Sequence, residues 1–324
     1  MPADRLTLAV RAVLDVLSGT PLTTVAARTC LHPADLAAAT QVYQQAGKQA
    51  LAQQAGPPRW QQIYVQFTDW DKAEQLAADR LDPVLELARA DDRITAWWFI
   101  RKHPSWRFRV LPRDPDGQTP AEVTVLLDEL ADAGELRWWP GVYEPETAAF
   151  GDVTSMSIAH TLFCADSHAV LATPHGALGR RELSVLLCST LMRAAGLEWY
   201  EQGDVWHRVT RDRPLPADTD PAKVQAMARQ LTPLLHADTG PAAPLLQSDQ
   251  TLRPAAAWVA AFRSAGTALG AASRDGTLNR GLRHVIAYHL LFHWNRLGLA
   301  ARTQSVLAHA ARAAILTPHE GAAP

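Results

Sequence analysis

Residues 97–110 read WWFIRKHPSWRFRV, and this stretch decides the fold. Pro104 has no backbone N–H, so it ends one strand before the next begins, which predicts a hairpin. Side chains alternate between the two sides of a strand, so Arg107 and Arg109 are expected to point the same way. Together with Arg101 on the first strand, they predict a cationic hairpin that holds carboxylate or amide groups. A solvated outer face of a sheet is the alternative interpretation.

The segments on either side of the hairpin predict an α+β fold. Residues 60–67 (WQQIYVQF) alternate as a strand, and residues 136–143 (LRWWPGVY) are extended again. Helical patterns lie between them, at 69–90 and after Gly117. The order strand, helix, hairpin, helix, strand is typical of an antiparallel sheet covered by helices.

The chain is expected to have two parts. Residues 1–56 form a helical N-terminal segment that ends at a Pro-Pro pair, and residues 57–324 form the α+β domain, which finishes in further helices. Prolines interrupt residues 212–254, which predicts short helices on a long surface connection. The N-terminal helices have the spacing of a helix-turn-helix. However, a helix that reads DNA requires cations near its start, and the third helix has no Lys or Arg before Lys48.

The overall charge excludes several classes of partner. The 324 residues contain 31 Lys and Arg against 33 Asp and Glu, so no global field attracts nucleic acid or an anionic membrane. We find no signal peptide and no apolar run long enough to cross a bilayer. Cys30, Cys164 and Cys188 are far apart and form no C-x-x-C pair. This pattern favours a reducing cytoplasm over a disulfide framework or a zinc ribbon.

A first group of reactive side chains lies on a predicted helix after Gly151. Ser157, His160 and Cys164 are three and four residues apart, so they can share one helix face. A nucleophile with a histidine base is one interpretation. However, there is no G-x-S-x-G elbow, and neighbours on one regular helix rarely aim a nucleophile at its base. A core or supporting role for His160 is therefore favoured.

A second group lies on the predicted helix within residues 281–300. His289 and His293 have the spacing of helical zinc ligands, but Leu290 replaces the glutamate of a metalloprotease and no third ligand is evident. We therefore expect no metal. Tyr288 with His289 or His293 is favoured as a proton-transfer pair in a cleft, because these groups work near neutral pH without a cofactor. An ordinary core tyrosine is the alternative.

Four motifs in sequence order carry a family resemblance. They are WWFIRKHPSWRFRV at 97–110, YEPE at 143–146 followed by FG at 150–151, LFCADS at 162–167 and HWNRLG at 293–298. Together they resemble the thiopeptide-type bacteriocin biosynthesis family, which is related to the glutamate-elimination domain of lantibiotic dehydratases. The resemblance covers residues 60–298 and implies the fold of that elimination domain.

The resemblance implies one of two activities. Elimination domains remove glutamate from glutamylated Ser or Thr with the help of arginines and a histidine. This chain has Pro145 and Phe150 where those domains typically show arginines, and Leu291 where they usually carry the catalytic histidine. These departures favour the stand-alone pyridine synthases, which perform a formal aza-[4+2] cycloaddition between two dehydroalanines of one peptide. The implied product is a macrocycle that bears a pyridine, formed with loss of water and of the leader peptide.

The resemblance and the residue chemistry together predict a thiopeptide macrocyclase that needs no metal and no cofactor. Its expected partner is a precursor peptide with a leader and a dehydrated, azole-containing core, and other enzymes of the pathway are further expected partners. A glutamate-elimination subunit of a split dehydratase and a non-catalytic scaffold that binds the precursor are the alternatives. The predicted catalytic residues are Tyr288, His289, His293, Ser155 and Ser157, and the predicted substrate-binding residues are Arg101, Arg107, Arg109, Trp97, Glu144 and His160.

Overall fold

The computed structural model describes residues 3–54, 59–114, 117–173, 179–240, 242–246 and 253–317. The chain divides into two compact units, residues 1–58 and 59–324. The described part of the first unit forms α1 (Ala3–Leu17), α2 (Leu22–Thr29) and α3 (Pro33–Gln54). Its small apolar core consists of Ala12, Val13, Val25, Ala26 and Leu36.

The second unit is built on a four-stranded sheet in the order β2-β3-β1-β4. Every neighbouring pair of these strands is antiparallel. The predicted α+β class with an antiparallel sheet is therefore confirmed. The strands are β1 (Gln61–Phe67), β2 (Ile94–Lys102), β3 (Ser105–Pro112) and β4 (Leu136–Val142).

Helices cover this sheet and continue after it. Between β1 and β2, a π-helical turn (Ala77–Leu81) joins α4 (Ala73–Leu76) to α5 (Asp82–Ala90), and α6 (Ala121–Asp132) precedes β4. No helix in the described ranges is both long and apolar enough to cross a membrane. The helices after β4 are α7 (Thr147–Phe150), α8 (Val153–Ala172), α9 (Arg180–Ala194), α10 (Trp199–Asp212), α11 (Pro221–His236), α12 (Ala256–Arg274), α13 (Leu282–Leu297) and α14 (Ala301–Leu316).

The two faces of the sheet differ in chemistry. Phe108 points towards α5 and α6, where it meets Leu85 and Leu127 around an apolar void of about 10 Å³. A void of that size holds about one water molecule. Arg107 and Arg109 point to the opposite side, which we call the arginine face. The period of two along β3 predicted this separation of apolar and cationic side chains, and the structure confirms it.

Side chains from two helices close the outer edge of β2. The Phe99 N–H donates to the Ser167 hydroxyl of α8 at 3.0 Å, and Arg296 of α13 donates its Nε–H to the Phe99 carbonyl at 2.9 Å. Unpaired backbone groups at a sheet edge otherwise attract other chains. These two bonds therefore satisfy the outward-facing backbone groups of Phe99 and fix α8 and α13 against β2.

The proline-containing segment 212–254 differs from the prediction. It was expected to be a surface connection of short helices, yet α11 within it has 16 residues. Pro221 stands in the first turn, where a missing N–H does no harm, and the Asp220 side chain caps the helix by accepting from the Ala222 N–H at 2.8 Å. The apolar side of α11 is buried, through Val224, Ala228, Leu231 and Leu235.

Close packing of α12 on α9 predicts a strong effect of one added methyl group. A Cβ at Gly270 would lie 2.5 Å from the Ala195 carbonyl oxygen. Gly270→Ala should therefore lower the free energy of unfolding by about 1–3 kcal/mol, because the two helices must separate. Chemical denaturation followed by tryptophan fluorescence reports on this unit, since all 11 tryptophans lie within residues 59–324.

Ser264→Ala, at an exposed position of the same helix, is the matched control. It should stay within about 0.5 kcal/mol of the parent protein. Equal stability of the two variants would contradict the close approach of α12 and α9.

Candidate functional site

The three hairpin arginines do not share a face. Arg107 and Arg109 lie on the arginine face, whereas Arg101 is paired with Trp106 and points to the opposite side. Its guanidinium carbon lies 4.3 Å from the Trp106 ring centroid, and it donates to Glu74 at 2.7 Å. The prediction that Arg101 acts together with the other two arginines is therefore wrong, because the tight turn sets a register that places it on the far side.

Arg109 is a nearly buried cation with no carboxylate partner among the described residues; its exposed fraction is 3%. Its guanidinium carbon lies 4.3 Å from the Trp98 ring centroid and 5.1 Å from that of Tyr143. It donates to the Arg107 carbonyl at 3.2 Å, and its Nε–H is buried without an acceptor. Burial lowers the pKa of Arg109 to about 10, so it stays charged at neutral pH. Such a group suits a carbonyl or carboxylate oxygen.

Tyr143 and His160 form a hydrogen-bonded pair beside Arg109. The Tyr143 hydroxyl lies 2.8 Å from His160 Nε2. Burial and then the charge of Arg109 lower the pKa of His160 to about 4, so this imidazole is neutral at neutral pH. Burial also raises the pKa of Tyr143, which keeps its hydroxyl protonated. Sequence analysis predicted a role for His160 but none for Tyr143, although Tyr143 is the first residue of the YEPE motif.

The described part of α8 does not pair a nucleophile with a histidine base, which was the alternative interpretation of Ser157, His160 and Cys164. His160 Nε2 is engaged by Tyr143, and Ser157 is exposed one turn away. Burial raises the pKa of Cys164 to about 12, so its thiol is protonated at neutral pH.

A buried carboxylate, Asp166 of α8, joins α12 and α13. It accepts from Trp258 Nε1–H at 2.8 Å, and His293 Nδ1 lies 2.9 Å from it. Arg296 forms an ion pair with its other oxygen, and both side chains are only 1% exposed. Burial pushes the pKa of Asp166 upward, but His293 and Arg296 more than offset this and hold it below its usual range. We call these four residues the Asp166 cluster.

Sequence analysis assigned no role to three of these residues, Asp166, Trp258 and Arg296. Asp166 lies in LFCADS and Arg296 in HWNRLG, so the motifs that carried the resemblance contained the signal. His293 was predicted as a proton-transfer group; its Nδ1 is held by Asp166, and its Nε2 is buried without a partner among the described residues.

His289 is enclosed by aromatic rings. Its ring centroid lies 5.0 Å from that of Phe150 and 6.0 Å from that of Phe163, and its exposed fraction is 1%. Neither ring nitrogen has a hydrogen-bond partner among the described residues. Burial, with a smaller effect of Arg296, lowers the pKa of His289 to about 3. The imidazole is therefore neutral at neutral pH.

Tyr288 is half-buried at the outer side of the same rings. Its ring centroid lies 5.1 Å from the Arg280 guanidinium carbon and 6.2 Å from the Phe150 centroid. Phe163 lies 5.4 Å from Phe150 and 4.9 Å from Trp98, so packed rings run from the hairpin to Tyr288. They pack between the hairpin and α13, the two elements that the sequence predicts to border a cleft.

The family described as lantibiotic biosynthesis dehydratase C-term matches residues 60–315. The chain belongs to this family. The match spans the sheet and the helices up to α14, and thus includes the arginine face and the Asp166 cluster. The resemblance that the sequence motifs indicated is therefore confirmed. No curated protein sequence gives a match.

Three solved structures share the fold of this dehydratase-family chain. The tRNA-dependent lantibiotic dehydratase MibB from Microbispora sp. 107891 has a TM-score of 0.58 at 21% identity, over 80% of this chain and 28% of MibB. TsrL has a TM-score of 0.57 at 16% identity, over 79% and 94% of the two chains. TbtD, a pyridine synthase from thiomuracin biosynthesis, has a TM-score of 0.53 at 15% identity, over 79% and 97%. This chain thus spans 28% of the length of MibB.

The other predicted site residues of this dehydratase-family chain lie apart from Arg109 and the Asp166 cluster. Ser155 is buried and donates to the Phe150 carbonyl, and Glu144 is exposed. Trp97 lies on the α5 side of the sheet, where its Nε1–H donates to Glu86 at 2.8 Å. It shares this side with Arg101, as the alternation along β2 predicted, and lies on the other side of the sheet from Arg107 and Arg109.

One group of side chains has the composition of a metal site. Asp82, Glu86 and His168 bring ligand atoms within 4.8 Å of one another. Both oxygens of Glu86 already accept hydrogen bonds, one from Trp97 at 2.8 Å and the other from Arg89 at 2.6 Å. Both Glu86 oxygens are thus engaged within an ion-pair network in this family member, whereas the Asp82 Oδ1 atom is buried without a hydrogen-bond partner among the described residues.

The Asp166 cluster predicts a large loss of stability on removal of its carboxylate. Asp166→Ala leaves Arg296 as an unpaired buried charge, which should lower the free energy of unfolding by about 3–5 kcal/mol. Asp218→Ala removes a carboxylate from an exposed ion pair with Arg302 at 2.9 Å, and is the matched control. Chemical denaturation should show little change for the control, and a similar effect of both variants would contradict the buried network.

The depressed pKa of His289 predicts a defined dependence of stability on pH. Below pH 6.5 the unfolded state binds a proton at this imidazole, while the folded state resists protonation down to about pH 3. Its contribution to the free energy of unfolding is therefore complete above pH 6.5 and lost progressively as the pH falls from 6.5 towards 3. Thermal melts of His289→Leu should lose less stability over this range than the parent protein.

His103→Leu, at an exposed position, controls for the general effect of replacing histidine by leucine. If the His289→Leu profile were parallel to that of the parent protein, the proposed environment of His289 would be incorrect.

Proposed function

We propose that this family member is a thiopeptide pyridine synthase. It joins two dehydroalanines of one leader-bearing peptide by a formal aza-[4+2] cycloaddition. Loss of water and of the leader peptide, released as its carboxamide, then leaves a macrocycle that bears a pyridine. The other activity of the family, glutamate elimination from glutamylated Ser or Thr, is the alternative.

The burial of Phe150 and Leu291 is the observation that favours cyclisation over elimination. Elimination domains typically carry an arginine and the catalytic histidine at these two positions. Here Phe150 is fully buried, with its ring 5.1 Å from that of Phe292, and Leu291 is 6% exposed. Both are core side chains. Neither can bind a glutamate carboxylate or accept its proton.

The arginine face supplies groups for the first chemical step. To form the azadiene, a backbone amide loses its N–H proton and gains a proton on oxygen. In a dry site, a fixed cation near that oxygen stabilises the charge that develops on it. Arg109, charged and with an unused Nε–H, has this character. Arg107 is more exposed, so a peptide meets it first. Tyr143, which packs over Arg109, must shift before a peptide oxygen reaches the deeper guanidinium.

Tyr288 is the proposed proton donor and acceptor for the later steps, in which water and the leader are expelled. It is the only member of the trio Tyr288, His289 and His293 that is not fully buried. His289 and His293 then support α13 from within, and Ser157 is a further exposed hydroxyl on α8. Positioning two alkenes of one peptide can itself supply roughly 7–11 kcal/mol, so few chemical groups are required.

One incubation separates cyclisation from its alternatives. The protein is mixed with a linear precursor that contains thiazoles and dehydroalanines, and the products are analysed by mass spectrometry. A pyridine macrocycle with freed leader supports the proposal. If a glutamylated peptide, offered as a second substrate, is converted to the dehydroalanine peptide, the result supports elimination. Tight binding of the precursor without conversion of either substrate supports a scaffold.

Tyr288→Phe should lower turnover of this precursor by about 10²-fold or more, because general acid–base groups contribute 10²–10⁴-fold. Affinity for the leader, measured separately by fluorescence anisotropy, should not change. Tyr200→Phe, at a tyrosine that is 72% exposed, is the matched control. Unchanged turnover in Tyr288→Phe would remove this residue from the mechanism.

A further inference from the structure

The arginine face carries cations and no acidic side chain. The strand register places three positions from each of the four strands on it, in three rows across β4, β1, β3 and β2. None of these twelve positions holds Asp or Glu. Four of them hold cations, and none of the four forms an ion pair with a described carboxylate. The cations are Lys102, Arg107, Arg109 and Arg137.

Half of this face is covered and half is open. Arg109 and Trp98 are buried where α8 crosses the sheet. In contrast, Lys102 and Arg137 are exposed, and Trp139 is 41% exposed. We call the part around Lys102, Arg107, Arg137 and Trp139 the open half. Arg107 of the open half is two residues from the buried Arg109 on β3 and lies on the same side of the sheet.

The open half is organised rather than a loose group of charges. Trp139 stacks on Tyr64 of the next strand, with ring centroids 5.3 Å apart and an interplanar angle of 11°. Arg107 of the following strand lies over the same Tyr64 ring at 5.5 Å, and its Nε–H is buried without an acceptor. Ring, ring and guanidinium therefore form one row across three strands, with an unused donor at its inner end.

The charge of this surface selects its partner. The chain has a net charge of −2, so the patch is a local field that only a nearby anionic group experiences strongly. An acidic segment of peptide is complementary to it, because carboxylates pair with the cations while apolar side chains cover the rings. A nucleic acid fits less well, since the sequence pI of about 6.6 is far below that of proteins that bind polyanions.

We propose that the open half binds an acidic, extended segment of the precursor peptide, with carboxylates on Lys102, Arg107 and Arg137 and an apolar side chain against Trp139. The identity of this peptide rests on the proposed function, whereas the binding of an acidic segment does not. A segment held here lies next to Arg109, so the surface delivers the adjoining part of the same peptide to the buried end of the face. It thus acts as a substrate-recruiting surface.

Binding is tested with a fluorescein-labelled synthetic peptide in which Glu alternates with Leu and Tyr. Fluorescence anisotropy measures its affinity for the full chain and for a double variant, Arg107→Glu with Arg137→Glu. We expect the double variant to bind about tenfold more weakly or worse, and the parent complex to weaken as salt is raised. The matched control is Arg229→Glu, an exposed charge reversal on α11, which should bind as the parent does.

A control peptide and a milder variant extend this test. A peptide with Gln in place of Glu should bind far more weakly to the parent chain. Equal binding of the Glu and Gln peptides, equal loss in Arg229→Glu, or tighter binding of an oligouridine RNA would each overturn the proposal. Arg137→Gln, a milder change at an exposed position, should give an intermediate loss, which keeps the test valid if the double variant is unstable.

A parallel turnover assay with the linear precursor separates this inference from the proposed function. If the parent chain makes the macrocycle and the double variant raises KM with little change in kcat, the result supports both the proposed reaction and the recruiting surface. If the macrocycle forms but charge reversal changes neither KM nor peptide binding, only the recruiting surface fails. If no macrocycle forms and acidic-peptide binding still depends on Arg107 and Arg137, only the proposed reaction fails.

Discussion

The ion pair between Asp166 and Arg296 is the interaction on which the larger unit depends. A carboxylate and a guanidinium removed from water are costly to bury unless their remaining hydrogen-bonding groups are satisfied. Here Trp258 and His293 occupy the carboxylate, and the guanidinium also donates to the carbonyl of Phe99, so that among the described residues only its Nη2 lacks a partner. One charged pair therefore holds α8, α12 and α13 together and attaches them to the edge of β2.

This attachment has a consequence for the arginine face. Because α8 is fixed against β2, it covers the part of that face around Trp98 and Arg109 and leaves the open half uncovered. Arg107 and Arg109 are two residues apart on one strand, yet one is half-buried beside Tyr64 and the other lies under Tyr143 and His160. The face therefore changes from wet and accessible to dry and enclosed. A site with this gradient can bind a peptide at one end and perform chemistry at the other, where electrostatic interactions are stronger.

The sequence predicted local patterns well and long-range pairing poorly. The period of two placed Arg107 and Arg109 on one side because that rule needs only a single strand. The position of Arg101 depends on how two strands pair across the turn, which alternation within one strand does not reveal. The Asp166–Arg296 pair joins residues 130 positions apart, so only the fold brings them together. Proline content suggested a loop at 212–254, although Pro221 and Asp220 are also typical of a helix start. Periodicity likewise does not report that the rings of Phe150 and Phe163 pack between the hairpin and α13.

Both the proposed reaction and the proposed recruitment require the peptide substrate to bind on the arginine face. Photo-crosslinking with a linear precursor that carries a photoreactive group, followed by peptide mapping, tests this most directly. If the peptide binds on the arginine face, crosslinks form to β4, β1 and β3 around Trp139, Tyr64 and Arg107. An excess of unlabelled precursor should suppress these crosslinks. Crosslinks confined to α5 and α6, on the opposite side of the sheet, would contradict it.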